Sequence, residues 1–138
     1  MMRRLTALLL LLAFTGCSRR KTLTPDDLKS QFTSAISFAS EEEMFIDYVR
    51  TGRATSNFAE QHSAYLDAEI KRSADELAKA VPQPGTESAL QRCRIQLSEL
   101  REELWNVRIH RRDSNALSAT KARVEEIRHD LDQAKSAL

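Results

Sequence analysis

From Leu28 to Leu138 apolar side chains return every three or four positions, and that spacing is interrupted at only three places. A repeat of this length lays one apolar stripe along an α-helix and has no counterpart in a strand, whose side chains alternate every second residue. The first stripe is Leu28, Phe32, Ala35, Ile36, Ala39, Ile46 and Val49, widened by Phe38, Phe45 and Tyr48. The second is Phe58, His62, Leu66, Ile70, Ala74, Leu77 and Val81, and the third Leu90, Cys93, Leu97, Leu100, Leu104 and Val107. Leu117, Val124, Ile127, Leu131, Ala134 and Leu138 form the fourth. Past residue 17 the only glycines are Gly52 and Gly85, and Ala, Leu, Glu, Arg, Gln and Ser dominate, a helix-forming composition.

The interruptions carry helix punctuation. Thr24 is placed to cap the first helix, with Pro25 at the first helical position, where no N–H is needed, and Asp26 and Asp27 facing the positive dipole end. Ser40 with Glu43 has capping-box spacing and marks a disturbance within that helix. Gly52 is a stop, and Asn57 with Glu60 a restart, leaving 51–56 as a connection. A helix running 41–81 straight through Gly52 is the competing reading, because glycine costs only about 1 kcal/mol relative to alanine. Pro82-Gln83-Pro84-Gly85 is a firm turn, after which Thr86 caps a third helix. Asp113-Ser114-Asn115 offers further caps, and from Leu104 to Leu117 the step is thirteen where fourteen would continue the heptad, which favours a break over a stutter. The expected fold is all-α, an antiparallel up-down bundle of four helices, each roughly 33–40 Å long at 1.5 Å per residue. Two or three longer helices in a hairpin are the alternative.

The chain begins with Arg3 and Arg4, an apolar run from Leu5 to Phe14, and Thr15-Gly16-Cys17. That order has the form of an export signal, and the apolar run falls well short of the about 20 residues a membrane span needs. Phe14-Thr15-Gly16-Cys17 resembles the bacterial lipobox, with Phe14 where leucine is usual. The resemblance implies cleavage between Gly16 and Cys17, diacylglycerol on the Cys17 thiol and an acyl group on its new amino terminus. Ser18 after the cysteine favours, by the same resemblance, the outer membrane facing the periplasm in a diderm organism. The expected division is a signal peptide over 1–16, a lipidated cysteine and tether over 17–23, and the helical domain over 24–138. Such a tether reaches about 20 Å at most, so the domain is held close to the lipid, with Arg19, Arg20 and Lys21 against the headgroups.

Lys plus Arg number 21 against 20 Asp plus Glu, a net charge of +1, and removing Arg3 and Arg4 with the leader brings the chain near neutral. Nucleic-acid binding, which needs a basic excess, is not expected. Loss of the leader leaves about 120 residues, enough for one domain with a modest core. With Cys17 acylated, Cys93 stands alone on an apolar seam and is expected to be a buried, unreactive thiol. His62 on the second stripe is expected in or beside the core. Glu126 and His129 have the Glu-x-x-His spacing of di-iron bundles, but without the second copy such a centre requires, so no metal is expected. Glu41-Glu42-Glu43 has the form of a solvated helix start.

No zinc-type cysteine pairing, glycine-rich phosphate loop or nucleophile elbow is present, so neither an enzyme nor a small-molecule substrate is inferred. The only cofactor-like group expected is the lipid on Cys17. Arg108, Arg111 and Arg112 cluster at the end of the third helix, with Trp105 and Ile109 off its seam beside them. These five are the candidate contact surface, since Trp and Arg are enriched at interface centres. The expected function is a membrane-anchored, non-enzymatic module that binds another envelope protein or itself. Leu23-Thr24-Pro25-Asp26-Asp27 resembles the Leu-Thr-x-x-Gln openings of periplasmic helical stress chaperones and metal-resistance sensors, lacking their glutamine, and a chaperone-like or metal-responsive sensor is the second reading.

Overall fold

A computed structural model describes residues 20–138, so the expected leader, Gly16 and Cys17 lie outside the described residues. The described chain is an all-α, four-helix bundle: α1 Pro25–Arg50, α2 Ser56–Lys79, α3 Glu87–His110 and α4 Ser114–Ser136. The longer-helix alternatives do not occur, and the breaks at both corners have clear physical causes.

Thr24 caps α1 through a reciprocal box, its hydroxyl accepting from the Asp27 amide while the Asp27 carboxylate accepts from the Thr24 amide, both at 3.1 Å. α1 then runs whole past Ser40, whose hydroxyl donates back to the Ile36 carbonyl at 3.0 Å and caps nothing. At its end Gly52 adopts φ +70°, and the Gly52 and Arg53 amides return to the Val49 and Tyr48 carbonyls at 3.0 and 3.2 Å. This is the double closure of a Schellman motif, which takes a left-handed residue most readily as glycine and terminates the helix there. Thr55, ahead of the expected restart at Asn57, caps α2 by accepting from the Phe58 amide. Thr86 precedes α3 as expected, but its hydroxyl donates to the Gln83 carbonyl at 2.8 Å within the preceding turn. Asp113 accepts from the Asn115 and Ala116 amides, which makes 111–113 a corner between two helices.

Two of the expected boundaries shift. Val81 does not extend the second helix: Val81–Pro82 forms a short strand β2, paired in parallel with β1, Thr22–Leu23. The Val81 amide donates to the Lys21 carbonyl at 3.0 Å and the Gln83 amide to the Leu23 carbonyl at 3.3 Å. Leu23 is buried in the core, so the last residues of the expected tether are docked on the bundle.

Cross-helix pairs fix the directions. Asp47 meets Lys121 and Glu43 meets Arg128, so contacts climb α1 as they descend α4. Asp67 with Arg101, and the Leu77 carbonyl with Arg94, relate α2 and α3 in the same opposed sense. Gln31 with Ser73 and Tyr48 with Phe58 do so for α1 and α2. The 51–55 and 111–113 corners therefore share one end of the bundle, while β1, β2 and the start of α3 share the other. Arg94 also satisfies the final carbonyls of α2, donating to Leu77 and Ala80, where no further helical turn supplies a partner.

The core comprises the predicted stripes in alternating steps of three and four: Leu90, Cys93, Leu97, Leu100, Leu104 and Val107 of α3 are all buried, against Leu117, Val124, Ile127 and Leu131 of α4. In α2 the buried side is rotated from the expected one, running through Ala59, Ser63, Leu66, Ile70 and Leu77 with Phe58 outside. Leu97→Ala, in a fully buried position, is expected to cost about 2–5 kcal/mol in urea unfolding. Ile109→Ala, at an exposed position, is expected to stay within about 0.5 kcal/mol.

Candidate functional site

The α3 heptad that buries Leu100, Leu104 and Val107 turns the neighbouring positions outward. Trp105 and Ile109 are left 56% and 55% exposed, side by side one turn apart, among several large apolar side chains that reach solvent, Met44 and Tyr65 included. The Arg108 guanidinium lies over the Trp105 ring, 5.4 Å from its centroid, within the range of a cation–π contact. Beside them α1, α2 and α3 leave a cleft of about 270 Å³, lined by buried Phe45, Val49, Ala59 and Val107 and by Trp105, Ile109, Arg108, Arg111 and Glu60. Four of the five expected contact residues thus share one cleft. Arg112 lies one step away, in a shallow surface depression with Ile109 and Arg111.

Sequence reasoning missed the second half of this end. The 51–55 corner brings Arg53 to the same end as Arg108, Arg111 and Arg112, and none of the four has a carboxylate partner within 4.0 Å among the described residues. Asp47 at this end is occupied by Lys121 and Arg50, which hold its carboxyl below the usual range, and Asp113 is occupied by backbone amides. A basic end on a nearly neutral chain arises because two corners far apart in sequence share one end of the bundle. Along the α1–α2 seam Tyr48 and Phe58 pack edge to face at 5.5 Å and are themselves exposed.

His62 continues that seam. Its ring stacks on Phe58 at 5.3 Å and 10° and meets Phe45 at 4.9 Å, with Nε2 3.5 Å from Glu41. It is a largely buried histidine at the edge of the core, in an aromatic setting. His129 contacts the Gln133 amide at 2.8 Å and Glu126 pairs with Arg123, so the Glu-x-x-His pair does not converge. Among the described residues no three His, Cys, Asp or Glu side chains gather as a metal site needs. No helix among them is long and apolar enough to cross a membrane. Cys93 is fully buried, and burial pushes its thiol up to about 12. A larger cavity, about 570 Å³, opens at the opposite end between the tether residues Arg20, Lys21 and Leu23 and Leu77, Ala80 and Val81.

Compared with protein-family models, curated proteins and solved structures, the chain matches none.

The polar group that sequence reasoning misplaced is Glu42. Glu41-Glu42-Glu43 is not a solvated start. Glu41 approaches His62, Glu43 pairs with Arg128, and Glu42 is wholly buried with neither carboxyl oxygen hydrogen-bonded. Its signal was in the spacing: Leu28, Phe32, Ala35, Ala39, Glu42, Ile46 and Val49 step by four and three without a gap, so the position is a core position occupied by an acid. Burial pushes its carboxyl up to about 9, and the nearby Glu103 of α3 adds like-charge repulsion. Glu103 in turn accepts from Asn106 and lies 3.9 Å from Arg123 of α4.

Between the ordinary value of 4.5 and about 9 the folded chain keeps a proton on Glu42 that the unfolded chain has lost. Stability is expected to fall as pH rises through that window, by up to about 1.4 kcal/mol per pH unit. The lowered carboxyls of Asp27, Asp47 and Asp75 act elsewhere, since their contribution is lost only as pH falls below their ordinary 3.8. Glu42→Leu is expected to flatten the decline and to raise the urea midpoint at pH 8. An unchanged slope in the variant would assign the decline to another group.

Proposed function

We propose that this chain is a lipid-anchored envelope lipoprotein whose helical bundle works without catalysis, as a module that docks a partner protein. Cleavage before Cys17 and acylation of its thiol and new amino terminus supply the anchor. The observation that carries the reading is polarity along the bundle axis. The first described residues, Arg20 and Lys21, enter beside β2 at one end, while Trp105, Ile109, Arg108, Arg111 and Arg112 stand near the other. A helix of α3's 24 residues spans roughly 36 Å, so a chain tethered at one end offers the opposite end away from its own bilayer.

The anchoring energetics suit a permanent attachment. Each buried methylene contributes about 0.8 kcal/mol, so one acyl chain holds weakly and several hold firmly. Docking of Thr22 and Leu23 shortens the free stretch after Cys17, which would keep the near end, with Arg20 and Lys21, close to the headgroups. By the lipobox resemblance Ser18 after the cysteine favours the outer membrane over the inner, facing the periplasm, in a diderm organism, and that is the site proposed.

Mass spectrometry of the protein purified from the membrane fraction is expected to show a chain beginning at Cys17 and carrying diacylglycerol and an N-acyl group. The Cys17→Ala variant is expected to be unacylated and to leave that fraction. An unmodified wild-type Cys17, or a wild type released as readily as the variant, would overturn the reading.

A further inference from the structure

The far end combines three features that have separate ordinary explanations but a common use. Arginines at a helix C-terminus compensate its dipole, worth a few tenths of a kcal/mol each, which accounts for Arg108, Arg111 and Arg112. It does not account for Arg53, which lies in the other corner, nor for a tryptophan and an isoleucine left more than half exposed beside Arg108 and Arg111. Nor does it account for a cleft whose deep lining is apolar, from Phe45, Val49, Ala59 and Val107, and whose surroundings are basic.

The cleft's opening to solvent bears on what it can hold. Small-molecule pockets enclose about 300–1,000 Å³ and bury most of their ligand. At about 270 Å³ this cleft lies at the foot of that range, and because it stands open to solvent it cannot bury most of a ligand, which suits an anchoring side chain of a larger partner. Its charge selects the partner's sign. Arg53, Arg108, Arg111 and Arg112 are exposed and unpaired among the described residues, against one carboxylate, Glu60, in the lining. Trp and Arg are also both enriched among the residues that carry binding energy at interface centres.

We infer that the far end of the bundle binds an acidic segment of a partner protein, which seats an apolar side chain in the Phe45–Val107 cleft against Trp105 while its carboxylates meet Arg53, Arg108 and Arg111. The inference rests on the anchored-module reading, which turns this end away from the chain's own bilayer and so favours a protein segment over a lipid surface. Salt bridges at the rim set the on-rate and the sign of the partner, and the apolar seat sets how long it stays.

Trp105 is the sole tryptophan, so its fluorescence reports on this site alone. The full chain, purified in a micelle of neutral headgroups, is titrated with an acetylated, amidated peptide carrying a Leu-Phe pair among glutamates. Saturable change in Trp105 emission is expected, weakened at least tenfold when the glutamates are replaced by lysines or the Leu-Phe pair by serines. Raising salt from 0.05 to 0.5 M is expected to weaken binding several-fold, as screening requires. Arg108→Glu with Arg111→Glu is expected to lose at least tenfold, and Arg53→Glu alone at least threefold, with urea midpoints unchanged. Arg72→Glu, at an exposed position midway along α2, serves as the control and is expected to bind as wild type.

No saturable response, equal binding of the serine or lysine peptide, or indifference to all three arginine reversals would overturn the inference. So would a response to vesicles of anionic phospholipid with none to the peptide, which would assign this end to a lipid surface, or a peptide response replaced by self-association on light scattering. Acylation of Cys17 is read separately by mass, so the docking inference can fail while the anchor stands, and the reverse.

Discussion

The pairing of the first helix with the last holds the arrangement together. α1 and α4 meet along most of their length, with Ala35, Ala39 and Ile46 on one side and Val124, Ile127 and Leu131 on the other all buried. The polar ties Asp47–Lys121 and Glu43–Arg128 join residues 74 and 85 apart in the chain. Closing so long a loop costs little more than closing a short one, since each doubling of loop length adds only about 0.6 kcal/mol. A single buried leucine contributes about 1.5–3 kcal/mol, so several along this seam outweigh that entropy many times over. The exposed ion pairs contribute at most about 1 kcal/mol each, and their part is to choose one register among those the apolar stripes allow. With α4 returned along α1, both corners of the bundle are brought to one end.

Against that seam Glu42 is a deliberate-looking weakness. An apolar residue there would complete the stripe, whereas a carboxyl without a hydrogen-bond partner, close to Glu103, withholds that gain and makes the core respond to pH. The surrounding stripe tolerates it because the group stays neutral. Burial raises the carboxyl's affinity for a proton, and a neutral carboxyl costs far less in an apolar setting than a charged one. Glu103 itself accepts from Asn106 and approaches Arg123 at 3.9 Å.

Much of the fold was legible in the sequence because its helices are punctuated by chemistry that acts over four residues or fewer. Thr24-Pro25-Asp26-Asp27, Gly52 and Asp113 each do locally what their types predict. What escaped needed partners from far along the chain. β1 and β2 are two residues each and pair across nearly sixty positions, with no alternation long enough to see. The rotation of α2 that put Ala59 and Ser63 inside and Phe58 outside depends on which neighbours it packs against, and small residues on a buried face give a weak hydropathy signal. Trp105, Ile109 and the three arginines after Val107 were readable from one heptad, while Arg53 could be grouped with them only once the 51–55 and 111–113 corners were known to share one end. Glu42 is the different case: the spacing marked its position as internal, and its type argued the opposite. Composition prevailed where periodicity was the better guide.

The two ends of the bundle divide its surface chemistry by what each must satisfy. At the near end the backbone groups left by α2 are taken up internally, by Arg94 on the carbonyls of Leu77 and Ala80 and by the β1–β2 pairing. That end therefore consumes an arginine. At the far end Gly52, Thr55 and Asp113 close the corners with backbone, hydroxyl and carboxylate contacts, and Arg50 pairs with Asp47, so that the side chains of Arg53, Arg108, Arg111 and Arg112 cap no helix among the described residues. Arg53, Arg108, Arg111 and Arg112 are left in solvent at that end, with Arg108 and Arg111 lining the cleft, and capping that relies on glycine, threonine and aspartate leaves a basic, apolar-floored surface available.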